Sequence, residues 1–107
     1  MPKKKLIVVG IFMLAAVFPA QVLAHTPLCS CYAGGDGNVI CEGGFSDGSS
    51  AAGVKVRVVG ENGKVLTKGK MDEFSEFVFE KPEGPYKVIF DAGPGHEVKI
   101  KGQEIAE

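Results

Sequence analysis

Histidine is scarce in this chain, with two among 107 residues, and no serine lies in a recognisable nucleophile turn. Nucleophilic hydrolysis needs a base beside the nucleophile, so the sequence gives it little support. The chain also lacks a glycine-rich phosphate-binding loop before a helix, and it is too short to build a long cleft around paired acids. We therefore expect neither enzymatic activity nor a small organic substrate.

Sustained helical periodicity, internal repeats and low-complexity segments are absent as well. Instead, short segments of alternating apolar and polar residues are separated by glycine-rich turns, which is typical of strands with one buried face. Two packed sheets are the usual way to bury such strands. The sequence therefore predicts an all-β fold, a small antiparallel seven-stranded β-sandwich with strands near residues 28–33, 38–45, 54–59, 64–70, 76–80, 86–91 and 97–101.

The first 24 residues have the pattern of a secretory signal peptide. Lysines at 3–5 precede an apolar run at 6–20, which is shorter than the ~20 residues of a spanning helix, and Val22-Leu23-Ala24 is a small-residue cleavage pattern. We expect residues 1–24 to be a cleaved signal peptide and residues 25–107 to form one β-sandwich domain. The domain would be exported and would be periplasmic or extracellular. A partner protein or an uncleaved signal peptide could hold it at a membrane.

Cleavage would change the charge of the chain. Three of the 12 basic residues belong to the signal, so 9 basic and 13 acidic residues remain, a formal charge of −4. The acidic residues are spread without a block of like charge, which indicates a solvated surface with mild attraction for cations. Nucleic acid is not an expected partner.

Cleavage after Ala24 would make His25 the first residue, which then offers a free amine and an imidazole to one metal ion. Their ordinary pKa values are near ~8 and ~6.5, so affinity should fall on acidification. Pro27 has no N–H, and further ligands must come from elsewhere in the fold. His96 follows Gly93-Pro94-Gly95, a loop suited to holding an imidazole above the end of a sheet. The plainer interpretations are that His25 is simply the residue after a cleavage site and that His96 is a surface residue of a hairpin turn.

A topological argument predicts that both histidines lie at the same end of the sandwich. If every strand crosses once, the second, fourth and sixth connections return to the end at which the first strand begins. These connections carry Asp47, Met71-Asp72-Glu73 and His96, respectively. The carboxylates are weaker metal candidates, because aspartate favours turns for unrelated reasons.

Three cysteines lie in the first predicted hairpin. Cys29 and Cys31 share one face of a strand, and Cys41 lies on the next strand. An odd number of residues in the turn makes Cys41 face Cys29 or Cys31, whereas four residues turn it to the opposite face. In an oxidising compartment a disulfide is the default, with Cys29 and Cys41 as the candidate pair and one thiol left over. The alternatives are thiolate ligation, in which Cys29, Cys31 and Cys41 join His25 and His96 around a metal, and redox exchange at a thiol of lowered pKa.

Segments at 54–59, 64–73, 76–79 and 82–88 resemble small prealbumin-like or immunoglobulin-like sandwich domains related to carboxypeptidase regulatory modules. This resemblance covers most of the mature chain and implies a fold without an activity. Segments at 44–48, 72–79 and 91–96 resemble the exported accessory proteins of bacterial nickel and cobalt importers of the energy-coupling-factor type. A mature N-terminal histidine and a Gly-x-Gly-His loop recur in that family, and His25 and His96 match these positions.

The chain departs from the pattern of that family in two places. It has Phe74-Ser75 where such domains usually have Asn-Gly, which makes Phe74 a candidate for an exposed apolar contact. Its three cysteines are more than the pattern of that family contains, which indicates a variant stapled by a disulfide or a site for a different metal.

These observations predict an extracytoplasmic protein that binds a divalent transition metal, nickel or cobalt first and copper as the alternative. It would capture the metal and present it to components of a membrane importer. The competing hypothesis is a non-catalytic β-sandwich for structure or protein interaction, stapled by a disulfide and without metal.

Overall fold

The structure, a computed structural model, describes residues 26–106. The predicted signal peptide at 1–24 and His25 lie outside the described residues. Within residues 26–106 no helix is long and apolar enough to cross a membrane. Seven strands are followed by a 3₁₀ turn at Gly102–Glu104; the strands are β1 (Pro27–Ala33), β2 (Asn38–Phe45), β3 (Lys55–Gly60), β4 (Val65–Lys70), β5 (Glu76–Glu80), β6 (Tyr86–Asp91) and β7 (Glu97–Lys101).

The strands form two antiparallel sheets. Sheet A has the order β1-β2-β5, and sheet B has the order β4-β3-β6-β7. The prediction of an all-β, antiparallel, seven-stranded sandwich is confirmed, and the predicted bounds of β2, β5, β6 and β7 agree with the structure to the residue. Alternation located these strands because each of them buries one face against the other sheet.

The hydrophobic core lies between the inner faces of the sheets. The ring of Phe90 is fully buried and meets the ring of Phe45 with centroids 6.2 Å apart, while Phe79 meets Tyr86 edge-on at 6.0 Å. Burying one phenylalanine contributes about 1.5 to 3 kcal/mol. The buried strand residues at the centre of this core are Val39, Cys41, Val56, Val58, Phe79, Val88 and Phe90.

Two strand glycines make room for aromatic rings of the facing sheet. A Cβ built on Gly43 would lie 2.6 Å from Phe90 Cε2, and one built on Gly69 would lie 2.7 Å from Phe77 Cε1. Both separations are far shorter than a van der Waals contact between carbon atoms. The missing side chains therefore allow the sheets to close over these rings.

Candidate metal site

One end of the sandwich, at which β1 begins, gathers three connections; we call it the connector end. Thr26 N–H donates to Ser46 Oγ at 3.1 Å and Ser46 N–H donates to Thr26 O at 2.9 Å, so the start of β1 meets the second connection. Gly53 N–H donates to Met71 O at 2.9 Å, which joins the second connection to the fourth. Residues of the second and sixth connections line one concavity. The predicted gathering of these connections at one end is confirmed.

The edge strands β1 and β7 adjoin and run in the same direction. Both begin at the connector end, and at the opposite end Tyr32 forms a parallel bridge with Ala106 while Ala33 N–H donates to Ala106 O at 2.9 Å. His96 directly precedes β7, and Thr26, which follows His25 in the chain, directly precedes β1. The backbone therefore brings His96 to the end from which the chain leads back to His25.

His96 is exposed, and the backbone orients its imidazole. Nδ1 lies 3.1 Å from Pro94 O. Because a carbonyl oxygen only accepts hydrogen bonds, Nδ1 carries the proton in this contact and the lone pair of the neutral ring is on Nε2. Metal-binding histidines commonly have this arrangement, in which the other ring nitrogen donates to a backbone carbonyl.

The loop that carries His96 is closed by its own hydrogen bonds and anchored by Asp91. His96 N–H donates to Gly93 O at 2.8 Å, and Ala92 N–H donates to His96 O at 3.0 Å. Asp91 accepts Gly93 N–H at 3.0 Å and the Arg57 guanidinium at 3.1 Å. The Gly93 N–H first, and then Arg57, lower the pKa of Asp91 against the opposing effect of burial. This carboxylate is therefore committed to positioning the loop.

The structure corrects the predicted disulfide. Cys31 is bonded to Cys41, and Cys29 is the free cysteine of the described chain. Five residues separate the last paired positions of the β1–β2 hairpin, an odd number, and the register places Cys41 opposite Cys31 and Gly43 opposite Cys29. The Cys29–Cys41 pairing is therefore wrong. Because Cys31 and Cys41 are joined in a disulfide, they are removed from the set of thiolate ligands.

Cys29 is half-buried and packs against the core. Burial raises the pKa of the Cys29 thiol to about 11. Burial thus favours the protonated thiol, whereas a redox-active cysteine needs a lowered pKa. The direction of this change is opposite to the one that the redox alternative requires. A metal ion would have to displace this proton before Cys29 could bind it as a thiolate.

Asp47 and Asp72 stabilise the turns that contain them. Asp47 Oδ1 accepts the N–H and the Oγ–H of Ser49 at 3.0 and 2.6 Å, respectively. Asp72 Oδ1 accepts the N–H groups of Phe74 and Glu76 at 2.8 and 2.9 Å. Such bonds to backbone two to four residues onward are the usual contribution of aspartate to a turn.

Ser75 has a role that the sequence did not reveal. Its φ of 63° is in the left-handed region that favours glycine, and its Oγ accepts Ala51 N–H at 2.9 Å across 24 residues of sequence. It thereby ties the fourth connection to the second. Beside it, Phe74 is 73% exposed, which confirms its predicted exposure, and with Leu28 it borders a cleft on sheet A. Sequence offers no signal for a hydrogen bond that depends on how distant loops pack.

Within residues 26–106 no group of three or more histidine, cysteine, aspartate or glutamate side chains is arranged to hold a metal ion. His25, which we expect to complete a site with His96, lies outside that range. The resemblance to prealbumin-like domains and to importer accessory proteins stays a prediction. No protein-family model matches the chain, and neither the curated proteins nor the solved structures include a match.

Proposed function

We propose that this domain binds a divalent transition metal outside the cytoplasm, nickel or cobalt first and copper as the alternative, and presents it to a membrane importer. The observation that best supports the proposal is the exposed His96 imidazole, whose Nδ1 is engaged by Pro94 O at 3.1 Å. A neutral imidazole held in this way offers Nε2 to a metal ion with little reorganisation.

The donor set follows from the chemistry of the remaining groups. After cleavage, His25 supplies its amine and imidazole, and His96 supplies a third nitrogen. The Cys31–Cys41 disulfide withdraws two sulfur donors, and burial, which raises the pKa of the Cys29 thiol to about 11, makes that thiol a weaker donor than the nitrogens. Imidazole nitrogen suits nickel and copper, and cobalt lies beside nickel in the affinity series of divalent metals.

Three nitrogen donors leave coordination positions open on the metal, and an open position permits transfer. A ligand of the importer can bind the metal before His96 leaves it, so the ion is exchanged between proteins without being released into solution. Because amine and imidazole bind metal only when deprotonated, acidification favours release.

Metal titrations of the exported, processed protein test this proposal. Native mass spectrometry with nickel, cobalt, copper and zinc in turn should give one-to-one adducts on a chain that begins at His25. Calorimetry should then show at least about 10-fold weaker binding for His96→Ala and for a chain with one extra residue before His25, since even indirect partners of metal ligands contribute that much.

Two matched controls isolate the donors from general effects of mutation. Gln103→Ala changes an exposed residue at the far end of the sandwich, and one extra residue at the C-terminus matches the N-terminal extension. Both should bind metal as the parent does. Unchanged affinity in the N-terminally extended chain would rule out the amine as a donor, and a processed chain that takes up no metal would refute the proposal.

A second candidate, a protein-interaction module without metal, is favoured by the cleft on sheet A. Phe74 is 73% exposed and Leu28 is 50% exposed, and Gly44, which is paired with Leu28, lines the same cleft without a side chain. This hypothesis predicts that partner binding is lost in Phe74→Ser and that chelators have no effect on it.

A further inference from the structure

The strands of the two sheets carry opposite charge. Sheet B strands contain seven of the nine basic residues in 26–106, against two acids, Asp91 and Glu97, so their formal charge is +5. Sheet A strands contain no basic residue, and three glutamates give them a formal charge of −3. We call the outer surface of sheet B the basic face; its basic residues are Lys55, Arg57, Lys68, Lys70, Lys87, Lys99 and Lys101.

Strand alternation places all of these basic side chains on the outside. In β3, Val56 and Val58 point into the core, so their neighbours Lys55 and Arg57 point outward. The same alternation against inward residues exposes the lysines of β6 and β7, and the pairing of β4 with β3 exposes those of β4. Basic residues that are scattered along the sequence thus become neighbours on one surface.

Like charges face each other directly across β3 and β4. Lys55 is paired with Lys70, and Arg57 is paired with Lys68. Directly opposed like charges destabilise an antiparallel pair. These four side chains, with Asp91, also line one shallow concavity. This pairing of like charges lowers the stability of the free domain, and an anionic partner that neutralises the charges would explain its presence.

The acids of sheet B strands leave most of this charge uncompensated. Asp91 Oδ2 lies 3.1 Å from Arg57 Nη1, and Glu97 Oε2 lies 3.7 Å from Arg57 Nη2, so both acids meet the same guanidinium. Among the described residues, Lys68 and Lys70 make no salt bridge. Their ammonium groups are exposed and available to anions from outside the chain.

We propose that the basic face docks on a membrane surface rich in anionic phospholipid. The face spans four strands, roughly 15 Å, and thus presents its charges over an area to which a plane of phosphate headgroups is complementary. The aromatic residues of sheet B strands, Tyr86 and Phe90, pack inward, so the face offers no rings on which nucleic acid bases could stack.

The three acids of the sheet A strands do not cancel this attraction, because they lie on the other side of the sandwich. Packed sheets are ~10 Å apart, and the Debye length is ~10 Å at 0.1 M salt. The outward glutamates of sheet A, Glu42, Glu76 and Glu80, are therefore screened from a membrane that touches sheet B. A domain with net negative charge binds an anionic surface through one face and in one orientation.

Vesicle co-sedimentation of the purified exported protein tests the proposal. Binding is expected to phosphatidylcholine vesicles that contain phosphatidylglycerol, and not to phosphatidylcholine alone, and it should weaken as salt rises from about 0.05 to about 0.5 M. Each basic residue near such a surface contributes roughly 5-fold, so Lys68→Gln/Lys70→Gln should bind about 30-fold more weakly. Glu97→Gln, which removes an acid from the face, should bind about 5-fold more tightly.

The matched control is Lys64→Gln/Lys81→Gln, which loses the same charge outside the strands of sheet B. It should change vesicle binding less than about 2-fold. The test pair relieves like-charge repulsion, so its thermal stability should be at least that of the parent and unfolding will not explain lost binding. Equal binding to both vesicle types, an equal loss in the control, or tighter binding to duplex DNA than to vesicles would each overturn the proposal.

Discussion

Reducing the disulfide between Cys31 and Cys41 should lower the free energy of unfolding by about 2.7 kcal/mol. The bond spans a sequence separation of 10, and closing a loop of that length removes about this much conformational freedom from the unfolded chain at room temperature. Cys41 is fully buried and Cys31 packs against the core. The reduced thiols keep most of that packing, so the entropy of the loop should dominate the change.

The effect is large for a domain of this size. A chain of about 80 residues has a total stability of roughly 4 to 12 kcal/mol, of which the disulfide would contribute about a fifth or more. The melting temperature should fall by roughly 10 to 20 °C on reduction. Thermal and guanidinium unfolding, followed by circular dichroism with and without a phosphine reductant, would measure both quantities.

Cys29→Ser is the matched control for this experiment, because it removes the free thiol and leaves the disulfide intact. The free energies of unfolding of its oxidised and reduced forms should also differ by about 2.7 kcal/mol. A difference under about 0.5 kcal/mol would refute the argument from loop entropy. Peptide mapping that found Cys41 linked to Cys29 would refute the register on which it depends.

Two further predictions follow from the core and from the free thiol. Gly43→Ala should lower the free energy of unfolding in a guanidinium titration by about 1 to 3 kcal/mol, because the new Cβ would lie 2.6 Å from Phe90 Cε2. Gly44→Ala is the control, since the nearest atom to its new Cβ would be 3.9 Å away, and it should be nearly neutral in the same titration. Burial raises the pKa of Cys29 to about 11, so near pH 8 its thiolate fraction should be about 100-fold lower than in the unfolded chain and iodoacetamide should label it correspondingly slowly. The thiol of the unfolded chain loses its proton at a lower pH than the thiol of the folded chain. The contribution of Cys29 to the free energy of unfolding is therefore complete below the pKa of the unfolded thiol and is lost as pH rises toward about 11. Labelling at equal rates in folded and unfolded protein would contradict this account of Cys29.

The sequence predicted the strands well because burial of one face leaves a period of two in each of them. Val88 and Phe90 alternate with outward residues, and the predicted bounds of β6 agree with the structure for that reason. The gathering of the second, fourth and sixth connections at one end was predictable too, since it requires only that every strand cross the sandwich once. The pairing of Cys41 was beyond the sequence, because Cys29 and Cys31 share a face and only the hairpin register separates them.

By itself, the sequence determined the class of fold, the order of the strands along the chain and the presence of His96 in a glycine loop, because these depend on local pattern and chain connectivity. The tertiary structure alone decided the Cys31–Cys41 bond, the Ser75 link between distant loops and the separation of charge between the two sheets. Along residues 26–106 the charges are interspersed and show no block of either sign. Folding separates them because strand order and side-chain direction, rather than distance in sequence, decide which residues become neighbours.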